Sequence, residues 1–463
     1  MAVRGRWPGL DKNPAYWRLL LYLVSGGQPD DETGEPVIPA ALLAEFEGRV
    51  AQHTARYYVA KDFLEAFRRD VLPDFSYGDA DHSESRARTV TNRGLPPEVF
   101  VWFDRMQVEL AGGAGDVVDA VTGRKRSRSV VAAERRADFE EVEAFVRAYH
   151  VSPEARAVIG YHNELPANRF AAVVRDFQAE ALDVAGSLPS VEARRQAFAV
   201  LAQIRLFPKP LLRPVENSAR PFSLRPSLLT VKSGVRRVFT QRWVDYDLAT
   251  AQLAIVAREW AVPGLLSFLA VGESVWAYLF EALDVGSELK PALKTAVYSL
   301  VFGASKGAIR RDLMSDSGRI GVDEAFFEAP LVKEVYDARE RRIRDLLDAR
   351  GGSTSLGRDI RIPYGTWQER AAYARSILAQ QAQAIELQLI HPVYELAATT
   401  DQFTVMLYQF DGITVSFRDE RSAAYWHGRI VGAVADAAES LGVLTRFEHE
   451  PGAAVAGSLI FSS

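Results

Sequence analysis

The chain has 463 residues, 48% of them hydrophobic and 25% charged, with a formal net charge of −5; this is the balance of a folded globular protein and excludes a long disordered or low-complexity chain. It contains no cysteine, which excludes disulfides, thiolate metal sites and cysteine nucleophiles and leaves oxygen and histidine to hold any metal. The length predicts two or three subdomains.

Near the start, Trp17 to Val24 (WRLLLYLV) is apolar but contains Arg18 and is far shorter than the roughly 20 residues of a membrane span. It lacks the small-residue cleavage site of a signal peptide. The expectation is a cytoplasmic protein with no membrane partner. Roughly the first 200 residues read mostly as helices, with amphipathic patterns over Pro39 to Val71 and Pro153 to Gly186. A glycine-rich joint at Gly112 to Gly115 precedes a short basic loop, Gly123 to Ser129 (GRKRSRS), which suits either a phosphate backbone or plain solvent. No internal repeat is present.

From about residue 205 the texture changes. Between Arg205 and Arg242 there are nine bases against Glu216 alone, a window that calls for a polyanion or, failing that, a solvated charged face. Arg242 to Tyr246 (RWVDY) reads as a short strand delivering a carboxylate. Helices are predicted at Ala249 to Trp260, Val275 to Leu283 and about Leu289 to Leu313. Farther on, Thr404 to Phe410 and Ile413 to Phe417 read as two strands around Asp411-Gly412, a hairpin signature.

Two aspartates delivered by strands are the right type of pair for phosphoryl transfer to a sugar hydroxyl, which needs positioning and two divalent ions more than covalent help. Magnesium binds few protein carboxylates and takes water and substrate phosphates in its other positions. The cationic partner is the helix carrying Lys290, Lys294, Tyr298, Phe302 and Lys306. All five are four apart and share one broad face, suited to clamping phosphates at one end and stacking on a base at the other. An amphipathic helix with buried rings and snorkelling lysines is the alternative.

At this point the sequence resembles the family A DNA polymerases, in blocks that follow the family's order. Val235 to Phe239 (VRRVF) with Trp243 to Tyr246 (WVDY) resembles IRRAF…LDYSQIELR. Lys294 to Gly303 (KTAVYSLVFG) resembles the fingers-helix pattern KTINFGVLYG. Leu356 to Pro363 (LGRDIRIP) is similar to LFGRRRYLP, Gln381 to Leu387 (QAQAIEL) to QGTAADI, and Gln409 to Thr414 (QFDGIT) to QVHDELV. The resemblance covers roughly residues 195–463.

It implies an α+β right-hand polymerase fold: a helical N-terminal region over 1–150, thumb-like helices over 151–210, an antiparallel-sheet palm over 211–258 and 346–463, and helical fingers over 259–345. It further implies a primer-template and nucleoside triphosphates as partners, and two magnesium ions, or manganese in their place. Asp245, Asp411 and the Tyr246 carbonyl would hold the metals. Lys294 would be the catalytic phosphate-binding lysine, with Lys290 on the triphosphate and Tyr298, Phe302 and Thr250 around the nucleotide. Arg220, in SARPFS, loosely matches the arginine of TGRLS that reads the minor groove. With Arg236, Arg237 and Gln381 it would touch nucleic acid.

The departures fall at the sugar gate. Thr250 stands where DNA-making members carry a glutamate that blocks the ribose 2′-OH, and Phe302 replaces the tyrosine that bonds it. Gly412 replaces the acid after the second metal-binding aspartate, and Phe410 the histidine before it. No paired DxE signals a proofreading exonuclease, so none is expected.

The leading reading is a DNA polymerase without proofreading. A ribonucleotide-using or primase-like enzyme is the second, and a non-catalytic nucleic-acid-binding relative the third. Taken alone, Asp245-Tyr246-Asp247 is also the DxD of glycosyltransferases. Gly303 to Gly307 (GASKG) lacks the ending of a phosphate loop. His150, His162 and His391 have no metal-like spacing and are expected in surface or capping roles.

Overall fold

The computed structural model describes residues 7–24, 28–29, 36–39, 43, 56–73, 87–89, 117–118, 125–126, 128–189, 191–204 and 208–451. Among them the α-helices before the first long strand are α1 (Pro14–Val24), α2 (Arg56–Asp70), α3 (Arg128–Ala148), α4 (Pro153–Glu164), α5 (Ala167–Gly186), α6 (Val191–Ile204) and α7 (Ser233–Thr240). After β1 (Val244–Leu248) come α8 (Ala251–Glu259), α9 (Pro263–Ala270), α10 (Val275–Ala282), α11 (Lys290–Val301), α12 (Lys306–Ser317), α13 (Val322–Glu328) and α14 (Pro330–Asp348). The chain closes with β2 (Gly351–Ser353), β3 (Asp359–Arg361), α15 (Trp367–Ala398), β4 (Phe403–Tyr408), β5 (Gly412–Phe417), α16 (Glu420–Leu441) and β6 (Phe447–Pro451). This is a mixed, mainly helical chain with small antiparallel sheets. Among the described residues no single helix is long and apolar enough to cross a membrane.

The chain forms two compact units, Met1–Glu141 with Pro166–Pro210 and Ser223–Thr240, and Val142–Leu165 with Leu211–Phe222 and Gln241–Ser463. The 151–210 stretch is thus divided between them. In the first unit, Tyr16 of α1 packs against Phe63 and Phe67 of α2. Its hydroxyl reaches Asp70, whose carboxylate is held down at about 2 by the hydrogen bonds of Arg69 and Lys12. α5 packs on α6 and α7.

The pattern over Pro39 to Val71 is not one helix. Pro36–Pro39 is a strand and Arg56–Asp70 a helix; the residues between, Leu43 apart, lie outside the described set. Pro153 to Gly186 is two helices, because Pro166 has no N–H and holds Leu165 in an extended conformation (ψ 141°). The joint at Gly112 to Gly115 lies outside the described residues. Of the basic loop, Lys125–Arg126 is a strand paired with Val117–Val118, and Arg128 and Ser129 open α3.

The second unit holds the four-stranded antiparallel sheet, in the order β4-β5-β1-β6. β1 lies in the middle, paired on both edges, and its side chains alternate: Val244, Tyr246 and Leu248 are buried, Asp245 is half-buried and Asp247 exposed. Helices α8 to α14 and the start of α15 share one apolar core that includes Val256, Leu293, Leu300, Phe326, Ile343 and Ile377. Each fully buried Leu or Phe there contributes about 1.5–3 kcal/mol.

Two local expectations are corrected. The helix expected over Leu289 to Leu313 is broken between Val301 and Lys306. Gly303 adopts φ 88°, where a Cβ would stand 2.7 Å from that of Arg375, and Ser305 caps the new helix by accepting from the Ala308 N–H. The buried Arg339 donates to the carbonyls of Leu300 (3.1 Å) and Ala304 (2.9 Å), satisfying the end of α11. Lys306 therefore leaves the shared face and lies over the rings of Phe327 and Tyr336.

The hairpin turn is also one residue earlier than Asp411-Gly412 implies. Gln409 N–H donates to the Gly412 carbonyl at 2.8 Å, Phe410 takes the left-handed position (φ 70°), and Gly412 opens β5.

Candidate active site

Strand periodicity places Asp245 and Asp247 on one face of the sheet. In register, Thr414 and Glu450 flank Asp245, while Gly412 and Glu448 flank Asp247. Asp245 Oδ1 accepts from the Thr414 hydroxyl (2.5 Å) and the Gln409 amide (3.3 Å), so one of its oxygens is fixed from the neighbouring strand. Gly412 is required here: a Cβ would stand 2.3 Å from Asp247 Oδ1 and 2.5 Å from the Tyr246 carbonyl oxygen. Two oxygens thus converge on the backbone beside Asp411, whose own carbonyl accepts from the Leu248 N–H at 2.8 Å.

Of these residues, Asp247, Asp411 and Glu448, but not Asp245, open onto a cleft of about 1020 Å³. It is lined by Asp247, Asp411 and Glu448 from the sheet and its turn, by Lys290, Lys294 and Tyr298 from α11, and by Trp276 and Thr250. α11 presents its two lysines one turn apart. Lys294 Nζ lies 5.6 Å from the centre of the Tyr298 ring and Lys290 Nζ 5.9 Å from that of Trp276. Burial pushes the Tyr298 phenol up to about 12, helped by the charges of Asp411, Glu386 and Asp247.

Behind the turn lies a buried polar network. Arg220 Nε donates to Glu386 Oε2 at 2.7 Å, and Gln252 of α8 donates to the other carboxylate oxygen. The guanidinium sits 5.0 Å from the ring centre of Phe410 and 5.8 Å from that of Phe302. Glu386 is fully buried in α15. Its burial raises the carboxyl to about 7, opposed by Arg220 and reinforced by the charge of Asp411. Gln383, one turn earlier, accepts from the Ser218 hydroxyl (2.7 Å) and the Ala219 N–H (3.3 Å), pinning the loop that carries Arg220.

On the opposite face of the sheet the Tyr246 hydroxyl meets His427 Nδ1 at 2.9 Å, and the His427 and His449 rings are 4.4 Å apart. Burial, then the neighbouring His449, hold His427 down at about 4.

No family model and no curated protein matches the chain. Among solved structures it is similar to the POL domain of Pol1 from M. smegmatis, determined in complex with a DNA primer-template and dNTP. The TM-score is 0.46 at 14% sequence identity, covering 94% of this chain and 80% of that one.

The structure brings Asp411, Lys290, Lys294, Tyr298 and Thr250 to one cleft, with Asp245 and the Tyr246 carbonyl on the adjoining strand. Phe302 does not line it; it ends α11, half in solvent, beside Arg220. Arg220 itself is committed to Glu386 and only 12% exposed. Gln381 donates to the Ser353 carbonyl at 2.8 Å. Arg236 and Arg237 lie on α7 of the other unit, where Arg236 donates to the Leu229 and Val231 carbonyls.

The basic window is split between the units, and Arg225 is spent on Asp138 at 2.9 Å. Among the described residues no group of three or more His, Asp or Glu is arranged to hold a metal. His162, expected at the surface or at a cap, is buried and bonded to the Tyr394 hydroxyl at 2.8 Å.

Sequence reasoning weighed Asp247 only as part of a DxD and missed Gln252 and Glu386. Asp247 had a signal, since alternate residues of a strand share a face. Glu386 had one too, being a lone carboxylate within an apolar helical run, which demands a buried partner.

Proposed function

We propose that the chain is a template-directed nucleotidyltransferase that extends a primer 3′ end with deoxynucleotides by two-metal phosphoryl transfer, without proofreading. In the right-hand description, the sheet is the palm and α9 to α14 supply the fingers. The observation that carries the reading is the cleft itself, where the carboxylates at the end of a β-sheet face two lysines and a ring from one turn-repeated helical face.

Asp247 stands opposite Glu448, and Asp245 opposite Glu450, on the neighbouring strand. Asp245, Asp411 and the Tyr246 carbonyl are the residues that would hold the ions. This all-oxygen set suits magnesium, which needs one or two carboxylates and completes its shell with water and phosphates. When bound, the ions stabilise the attacking and leaving oxygens. Thr414 and Gln409 orient Asp245, Lys290 and Lys294 hold the triphosphate, and the Tyr298 ring offers a stacking surface. With its phenol raised to about 12, Tyr298 stays protonated at neutral pH and acts as a donor, never as a base.

Thr250 and Phe410, neither a glycine, hold left-handed backbone (φ 48° and 70°) at the margins of this site. Such strain persists where function demands the geometry. Thr250 supplies a second reading, the use of ribonucleotides, since this cleft-lining position carries no carboxylate to exclude a 2′-OH.

Primer extension with separate dNTP and rNTP pools, in magnesium and in manganese, tests both readings. Extension with dNTPs alone is the expected result. Extension with rNTPs moves the assignment to the second reading, and failure with both pools in both metals overturns the two together in favour of a non-catalytic nucleic-acid-binding relative.

A further inference from the structure

The β2–β3 hairpin and the segment leading into α15 border a groove of about 720 Å³, well defined without reference to the cleft above. Arg350, Arg361 and Arg370 line it against one carboxylate, Asp359. None of the three arginines makes an ion pair among the described residues: Arg350 donates to the Tyr364 hydroxyl (3.1 Å) and Arg370 to the Leu347 carbonyl (3.2 Å). Arg220, Arg310, Arg339 and Arg418 of the same unit each meet a carboxylate. With three arginines against one carboxylate, the groove keeps a positive charge.

Its second property is a flat ring in water. Tyr364 is 90% exposed, and Trp367, three residues on, is 66% exposed. Burial among the described residues does not account for an aromatic residue there. Tyr364 is nevertheless held, by the hydroxyl contact to Arg350 and by that guanidinium 5.4 Å from the ring centre. Arg350 follows α14 with a left-handed backbone (φ 56°).

A fixed, exposed ring amid unpaired guanidinium groups matches a ligand that alternates planar apolar faces with anions. We propose that this groove binds single-stranded nucleic acid, with one base stacked on Tyr364 and the flanking phosphates on Arg350, Arg361 and Arg370. An acidic peptide would satisfy the arginines but leave the ring without a flat partner.

The proposal extends the polymerase reading to the unpaired strand, and the two fail separately. Incorporation reports on the cleft, whereas equilibrium binding without nucleotide or divalent ion reports on the groove. The test is fluorescence anisotropy of a labelled twelve-nucleotide oligo-dT with the full chain over a salt series. Tyr364→Ala weakens binding by about 5- to 150-fold, the span of one base–aromatic stack, while Tyr364→Trp retains it. Arg361→Gln lowers the magnitude of the slope of log K against log salt by about 0.7, one phosphate contact on a single strand.

Tyr364 is almost wholly exposed, so its replacement leaves the thermal melt unchanged, which separates loss of the site from loss of the fold. Wild-type affinity in Tyr364→Ala overturns the proposal. So does polyglutamate binding that competes with oligo-dT and depends equally on Tyr364.

Discussion

The cleft and the network behind it treat charge in opposite ways. Around Asp411, carboxylates and lysines face solvent across an open volume, and Asp247 and Glu448 stand opposite each other with like charge. A few residues away, Glu386 is sealed from water and matched by Arg220 and Gln252. The difference separates two demands. A buried carboxylate must find its partners inside the fold, whereas carboxylates that line an open cleft stay accessible to whatever enters it. The network also touches the cleft's fixed parts, since Arg220 lies against Phe410, next to Asp411, and Gln252 follows Thr250 by two positions.

If that division holds, Asp411→Ala has the largest effect: incorporation falls by more than about 100-fold while primer-template affinity and the melting temperature hold. Single-turnover incorporation beside an equilibrium binding measurement decides it, and a wild-type rate would remove Asp411 from the site. Next comes Arg220→Ala, which strands a buried carboxylate and costs about 3–5 kcal/mol; a urea melt showing less than about 1 kcal/mol would mean that the network is not load-sharing.

Glu386→Gln keeps the shape and loses the charge, and its signature is pH dependence. Because the folded carboxyl lies near 7, above its ordinary value of 4.5, the folded state binds the extra proton between those limits. Its contribution then falls as pH rises from about 4.5 to 7 and is level above. Melts at pH 5 and pH 7.5 show wild type losing stability relative to Glu386→Gln across that window; equal changes in both would refute the assignment. The smallest effect belongs to Thr250→Glu, which shifts the dNTP-over-rNTP incorporation ratio about tenfold toward dNTP. An unchanged ratio would place the sugar elsewhere than at Thr250.

Much of the cleft was legible because its chemistry is local. The alternation of VDYDL fixes which residues share a face, and the spacing of Lys290, Lys294 and Tyr298 survives intact on α11. Lys306 was misassigned for a reason that lies outside its own segment. The helix ends where Arg375 crowds Gly303 and Arg339 reaches the free carbonyls, and both arginines come from other helices. The shift of the turn onto Phe410 is similar, since Asp-Gly is a strong local signal outweighed by the pairing of Gly412 with Asp247.

The residue types of the site, the strand and helix that carry them, and the absence of thiol chemistry follow from composition and from periods of 2 and 3.6 residues. Which charges are compensated emerges only on folding. Arg220 reads as a basic residue like its neighbours until Glu386, 166 positions away, is folded against it. Electrostatic compensation depends on distance in space, and no spacing along the chain encodes it.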